Sequence, residues 1–176
     1  MKRVAVFGNA GGGKSTLARN LAAITGLPLS VIDELQYRKG GVPVPHEEYV
    51  RAHAALLAND EWIIDGFGGM ELLWKRLDAA DTLIHVDLPL AVHALWVTKR
   101  LVKGLFRTPQ GWPEGRPVVS SSISSYRVLW PCHAHLTPRY RSYVAESASR
   151  KRVFHLRSRR ELAMFVESMR KEHARV

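Results

Sequence analysis

The stretch that decides the fold is Lys2–Ala18, which reads KRVAVFGNAGGGKSTLA. A short apolar run leads into a glycine loop, and Leu17, Leu21 and Ile24 then recur at helical spacing. Residues Gly8–Ser15 match G-x-x-x-x-G-K-[ST] at every fixed position. Such a loop can wrap a phosphate, because glycine permits close approach and left-handed dihedral angles. The helix that follows would present its positive N-terminal end to the same phosphate.

The motif predicts a nucleoside triphosphate ligand, ATP, with Mg²⁺ as its metal. We expect Lys14 to reach the β- and γ-phosphates and the Ser15 hydroxyl to ligate the metal. The residues predicted to bind the nucleotide are Gly8, Asn9, Ala10, Gly11, Gly12, Gly13, Lys14, Ser15 and Thr16.

Strand-like and helix-like segments alternate outward from this unit. The predicted strands are Lys2–Phe7, Leu29–Ile32, Glu61–Asp65, Thr82–Asp87 and Lys151–Leu156. The predicted helices are Lys14–Thr25, about 45–58, Glu71–Ala79, Leu90–Lys103, a short one at Ser121–Trp130 and a last one after the capping box Ser158–Glu161. This order predicts an α/β fold with a doubly wound, five-stranded parallel sheet. We expect one domain over 1–176, with residues 104–138, rich in proline and serine, as a lid or flap inserted in it.

Three aspartates are predicted to end strands of this sheet. In doubly wound sheets the ligand lies beyond the carboxyl ends of the strands, so Asp33, Asp65 and Asp87 should share the edge of the glycine loop. A phosphate loop needs a nearby carboxylate for its metal. Asp65 is the first candidate and Asp87 the alternative, although either could simply form a turn. Asp33 is the candidate for orienting or deprotonating an acceptor hydroxyl.

Composition sets limits on partners and location. The chain has 176 residues, with 26 Lys and Arg against 16 Asp and Glu, so its net charge is +10. A basic segment at 139–160 makes a nucleic acid a possible partner besides nucleotides. Cys132 is the single cysteine, which excludes an intrachain disulfide. No stretch approaches the ~20 apolar residues of a membrane span, so we expect a cytoplasmic protein without a membrane partner.

The sequence resembles the nucleoside monophosphate kinases, adenylate kinase above all. The resemblance rests on VFGNAGGGKSTLARNLA at the start, on Ile63–Phe67 (IIDGF), and on Asp87-Leu88-Pro89 followed by Arg100. The chain is also similar to bacterial topology modulation proteins, which share GNAGGGKSTLA, the W-I-I-D-G strand and L-R-S-R-R-E, here Leu156–Glu161. The likeness covers nearly the whole chain except 104–138.

The resemblance implies roles for several side chains. Arg100 would be the lid arginine that stabilises charge on the transferring phosphoryl group, with Arg139 and Arg141 as further candidates. Trp96 falls where the family places a residue against the nucleotide base. Gly68-Gly69 stand where adenylate kinases have Pro-Arg, the arginine that holds the acceptor phosphate. This departure argues against AMP as the acceptor.

Three hypotheses about function follow. The first is a small-molecule phosphotransferase with ATP as donor and an unidentified hydroxyl- or phosphate-bearing acceptor. The second is a nucleic-acid-associated ATPase or polynucleotide kinase that uses the basic segment at 139–160. The third is a nucleotide-binding regulator without catalysis. The first is favoured, and its acceptor is not named by the sequence.

Overall fold

A computed structural model describes residues 1–38, 41–104 and 118–174. The strands are β1 (Arg3–Gly8), β2 (Leu29–Val31), β3 (Trp62–Asp65), β4 (Thr82–Val86) and β5 (Arg152–Leu156). The helices are α1 (Lys14–Thr25), α2 (Ile32–Gln36), α3 (His46–Leu57), α4 (Met70–Ala79), α5 (Leu90–Gly104), α6 (Val118–Pro131), α7 (Thr137–Ser147) and α8 (Arg159–His173). A π-helical turn, Cys132–Leu136, joins α6 to α7.

The five strands form one parallel sheet in the order β2-β3-β1-β4-β5. This confirms the predicted doubly wound α/β fold. The central strand β1 lies between β3 and β4, so the loop that follows β1 opens at the middle of the carboxyl edge.

Alternate residues of the strands supply two hydrophobic cores, one on each face of the sheet. On one face Ala5 and Phe7 pack with Tyr140 of α7 and with residues of α3 and α4. On the other face Val4 and Val6 pack with residues of α1 and α8. Because β1 is covered on both faces, it reads as a continuous apolar run.

The predicted element boundaries are close to the observed ones, with one change that concerns the site. The predicted second strand ends one residue early, at Val31, and the chain turns at once into α2. Asp33 therefore lies in the first turn of a short helix rather than at a strand end. A carboxylate is favourable there because the helix N-terminus carries partial positive charge.

The region predicted to be a flap, 104–138, lies partly outside the described residues, at 105–117. Its described remainder is helical: α6, the π-helical turn and the start of α7. A role for this region as a lid stays a prediction. Within the described ranges, no helix has the length and apolar character needed to cross a bilayer.

Candidate phosphate and acceptor site

The glycine loop joins β1 to α1 at the centre of the sheet edge. Lys14 Nζ donates a hydrogen bond of 2.7 Å to the carbonyl oxygen of Asn9, which holds the ammonium group within the loop. Gly13 is the N-cap of α1 and has no side-chain cap, so the first N–H groups of α1 are left for another partner. Of the predicted nucleotide-binding residues, Gly8 ends β1, and the others, Asn9, Ala10, Gly11, Gly12, Gly13, Lys14, Ser15 and Thr16, lie in this loop and the first turn of α1.

Helix α5 packs directly against the loop. His93 Nδ1 lies 2.8 Å from the carbonyl oxygen of Ala10, which can only accept, so Nδ1 carries the hydrogen. A Cβ atom at Gly13 would be 2.7 Å from the ring of Trp96, a distance that no side chain tolerates. Glycine at position 13 thus leaves room for this helix, and its φ of 75° is a conformation that favours glycine. Sequence reasoning missed this packing, although the helical spacing of His93, Trp96 and Val97 could have indicated it.

Asn9 ties the loop to α6. Its side-chain amide is buried, donates to the carbonyl oxygen of Leu129 at 2.9 Å and accepts from the N–H of Ala10 at 2.7 Å. The side chain therefore has a structural function in the loop. A contact of Asn9 with a nucleotide stays a prediction.

Asp65 ends β3, next to β1, and pairs in register with Val6. It is 1% exposed, and its Oδ1 atom has no hydrogen-bond partner among the residues that the structure describes. Burial lowers the pKa of Lys14, and the carboxylates of Asp65 and Asp33 oppose that shift. Both acids therefore act electrostatically on the loop lysine. An orphaned carboxylate oxygen beside a phosphate loop fits a hard cation such as Mg²⁺, which prefers oxygen ligands.

Arg100 of α5 joins the same group. Burial lowers its pKa, and the charge of Asp33 opposes the shift. Its Nη2 atom donates to Ser125 Oγ of α6 at 2.6 Å. The charges of four residues predicted for catalysis or metal binding thus influence one another, namely those of Lys14, Asp33, Asp65 and Arg100.

Arg139 and Arg141 have other partners. Arg139 lies over the ring of Trp74 of α4, with Cζ 5.3 Å from the ring centroid. Arg141 binds the carboxylate of Asp87 through two hydrogen bonds, from Nε at 2.7 Å and from Nη2 at 2.9 Å. Neither contact involves Lys14. A part for either arginine in phosphoryl transfer stays a prediction.

Asp87 is held in a hydrogen-bond network after β4. His155 Nε2 lies 2.7 Å from its Oδ2, in addition to the two bonds from Arg141. Burial would raise the pKa of Asp87, but these hydrogen bonds outweigh it and lower the pKa to about 2. Both carboxylate oxygens have donors, so Asp65 is better suited than Asp87 to ligate a metal.

His85 completes a cluster with Asp87 and His155 whose ligand atoms lie within 4.8 Å of one another. The rings of His85 and His155 are stacked, with centroids 4.8 Å apart and an interplanar angle of 21°. An ion bound to imidazole lies in the plane of the ring, and nearly parallel planes do not converge on one point. Arg141 and His155 already bind the carboxylate, whereas neither ring nitrogen of His85 has a hydrogen-bond partner among the described residues. His85 therefore joins the pair by ring stacking, and the arrangement does not favour a metal site.

Arg76 of α4 is a further charged residue near the site that sequence reasoning missed. It is fully buried, and its Nη2 atom donates to the carbonyl oxygen of Gly66 at 2.6 Å. Burial lowers the pKa of Arg76 to about 10, opposed by the charges of Tyr49 and Asp65. The guanidinium therefore holds the backbone directly after Asp65. On the buried side of α4, Arg76 lies among Leu72, Leu73 and Leu77. A single arginine on an apolar helix face gives little indication, from sequence alone, that its side chain is buried.

Most basic side chains of the segment 139–160 make contacts within the protein. Lys151 Nζ donates to the carbonyl oxygens of Leu77, Asp78 and Ala80 at the end of α4. Further intramolecular contacts join Arg139 to Trp74, Arg141 to Asp87, Arg152 to Glu172, Arg157 to His155 and Arg159 to Trp96. These contacts give most of the segment a structural explanation and do not support a nucleic-acid surface.

Comparisons with known proteins give structural likenesses only. No family model matches the chain, and no curated protein matches it. A sugar kinase from Janibacter sp. HTCC2649 is 17% identical with a TM-score of 0.46, over 98% of this chain and 91% of that one. A gluconokinase from Sinorhizobium meliloti 1021 is 16% identical with a TM-score of 0.46, over 99% and 92%. A shikimate kinase from Bacteroides thetaiotaomicron is 15% identical with a TM-score of 0.49, over 97% and 97%. At this level of identity and superposition, the likeness implies nothing about the reaction of this chain.

Proposed function

We propose that the chain is a phosphotransferase that binds a nucleoside triphosphate with Mg²⁺ at residues 8–16 and phosphorylates a small hydroxyl-bearing acceptor. The observation that carries the proposal is the glycine loop at the centre of the carboxyl edge, which holds Lys14 and leaves the N-terminus of α1 without a side-chain cap. On the neighbouring strand lies buried Asp65, whose Oδ1 has no hydrogen-bond partner among the described residues. In this proposal two cations, Lys14 and Arg100, and two carboxylates, Asp33 and Asp65, act at the carboxyl edge of the sheet, where a ligand is expected. This combination suits a transfer between a polyanion and an alcohol.

Each side chain has a distinct task in this scheme. Lys14, at the start of α1, binds the β- and γ-phosphates, and Arg100 stabilises charge on the transferring group. Ser15 and Asp65 would hold Mg²⁺, which neutralises the phosphate oxygens when bound. Asp33 is exposed at the start of α2 and accepts the proton of the acceptor hydroxyl.

The proposed transfer needs no reactant other than the triphosphate and the acceptor. The acceptor oxygen forms a bond to the γ-phosphorus as its proton passes to Asp33. The bond from that phosphorus to the bridging oxygen of the β-phosphate breaks. The nucleoside diphosphate leaves with the electron pair, and its new negative charge lies against Lys14.

The test is transfer of label from γ-labelled ATP with Mg²⁺ to a panel of nucleosides, monophosphates, sugars, polyols and 5′-hydroxyl oligonucleotides. Lys14→Ala is the blank, and Lys99→Ala, at an exposed position of α5, is the matched charge control. We expect label on a small acceptor, with loss of at least ~10²-fold in Lys14→Ala, because an electrostatic group at the phosphates is removed.

Each of the other possible results would support one of the alternative functions. Label on the oligonucleotide would favour a polynucleotide kinase. Lys14-dependent release of inorganic phosphate alone would identify an ATPase. ATP binding without turnover would identify a regulator. Each of these three results contradicts the small-molecule kinase.

A further inference from the structure

A pocket of about 380 Å³ lies between α2, α3 and the first turn of α4. Its polar lining consists of Gln36, Tyr37, His46, Tyr49 and Glu71. Gln36 follows Asp33 by three residues, so the two side chains lie on the same side of α2. The pocket therefore begins one helical turn from the carboxylate proposed to take the acceptor proton.

The charges of the described residues that line this pocket do not favour an anion. Glu71 is the only acid among the described lining residues, and those residues include no lysine or arginine. The cation nearest to Glu71 in sequence, Lys75, lies one helical turn away and is held by the Glu71 carboxylate at 2.7 Å. Arg38, close to the pocket in sequence, is paired with Glu48 at 2.7 Å. Phosphate groups are normally bound by arginine or lysine, and the described lining residues offer a phosphorylated acceptor a carboxylate but neither of these cations.

The remaining lining is suited to a ring or an apolar edge. Pro43, Val44, Val50, Met70 and Leu72 supply apolar surface, and Tyr37 supplies an aromatic ring. Aromatic rings beside neutral hydrogen-bonding groups are typical of sites for uncharged polar molecules.

Gly68 keeps the floor of this pocket close to α3. Its φ is 70°, and a Cβ atom there would overlap the Tyr49 hydroxyl group and Cγ2 of Ile32. The Tyr49 hydroxyl donates to the Gly68 carbonyl oxygen at 2.8 Å, which fixes the backbone in that position. The tyrosine thus has its hydrogen committed and presents its ring, not a charge, to the pocket.

We propose that the acceptor is an uncharged, hydroxyl-bearing molecule, such as a nucleoside, sugar or polyol, and not a monophosphate. Its ring or apolar edge lies in the pocket, and the reacting hydroxyl points toward Asp33. This inference rests on the proposed phosphotransferase function and narrows its acceptor class.

The test compares matched pairs that differ only by a phosphate: a nucleoside with its 5′-monophosphate, a sugar with its phosphate, and a polyol with its phosphate. We expect kcat/KM for label transfer to be at least ~10-fold higher for the uncharged member of the productive pair, a difference of ~1.4 kcal/mol. Equal transfer to both members, or preference for the phosphorylated one, would overturn the inference while the phosphotransferase function stood.

Two exposed glutamates supply a matched pair of variants. Glu71→Lys should raise kcat/KM for the phosphorylated member at least ~10-fold relative to the uncharged one, because it exchanges an anion for a cation at the pocket. Glu47→Lys, in the first turn of α3 and outside the pocket lining, should leave the ratio unchanged. The same change of ratio in both variants would show a general charge effect and contradict the assignment.

Calorimetric titration of the same pairs into the protein separates the two proposals. Binding of the uncharged members alone, without Lys14-dependent transfer to anything, would reject the phosphotransferase and support the pocket assignment. Binding and transfer that are both absent for every pair would reject the assignment as well.

Discussion

Two buried histidines should make the folded protein sensitive to mild acid. His53 of α3 and His85 of β4 are 1% and 0% exposed. Burial lowers the pKa of His53 to about 4 and that of His85 to about 3, from an ordinary value of 6.5. In the unfolded chain both rings return to water and to the ordinary value.

The sign and size of the effect follow from this difference. Between pH 6.5 and about 4 the unfolded chain binds more protons than the folded one, so acidification favours unfolding. Each histidine then lowers the free energy of unfolding by about 1.4 kcal/mol per pH unit. Relative to pH 7, the loss at pH 5 is about 2 kcal/mol for each ring and about 4 kcal/mol for both.

Urea unfolding at a series of pH values from 7 to 5 measures this slope. His53→Leu removes one titrating ring and should reduce the slope by about half, whatever its effect on stability at pH 7. His135→Gln, at an exposed position of the π-helical turn, is the control and should leave the slope unchanged. An unaltered slope in His53→Leu would refute the reasoning, because it would mean that His53 is protonated to the same extent in both states.

Two other substitutions give contrasting readouts. Asp65→Asn should raise the Mg²⁺ concentration needed for half-maximal turnover by ~10–100-fold, because Oδ1, which has no hydrogen-bond partner in the described part of the chain, is the proposed ligand atom. A large loss of stability with normal Mg²⁺ dependence would make Asp65 structural. Lys151→Met should lower the free energy of unfolding by about 2 kcal/mol, because three carbonyl oxygens at the end of α4 lose a charged donor. Arg150→Met, at the exposed neighbouring position, is the control, and equal stability losses in the two variants would contradict the capping function of Lys151.

Local sequence patterns predicted most of the strands and helices of the fold. Apolar runs predicted all five strands, because a strand covered on both faces has few polar positions. The predicted helix Lys14–Thr25 agrees with α1 at both ends, since the loop motif and Gly26 mark its limits. The capping box at Ser158 is confirmed by the hydrogen bond from the Glu161 N–H to Ser158 Oγ at 3.1 Å.

Helices α2 and α7 were not predicted, and both omissions concern the site. α2 has five residues, too few to show a period of 3.6. α7 carries Tyr140 and Val144 on its buried side, but Arg139 and Arg141, on either side of Tyr140, obscure the apolar stripe. Their helical state comes from tertiary packing, which stabilises helices that have little intrinsic tendency to form.

The sequence by itself determined the glycine loop, the order of strands and helices, and the edge of the sheet at which a ligand would lie. A motif and a hydrophobic period are properties of neighbouring residues, so they can be read without the fold. Only the tertiary structure decided that Arg141 binds Asp87, that Oδ1 of Asp65 has no donor among the described residues, and that Glu71 lines the pocket between α2, α3 and α4. These facts depend on which distant side chains meet in space, and the charges and burial that result from those meetings are not encoded in any local pattern.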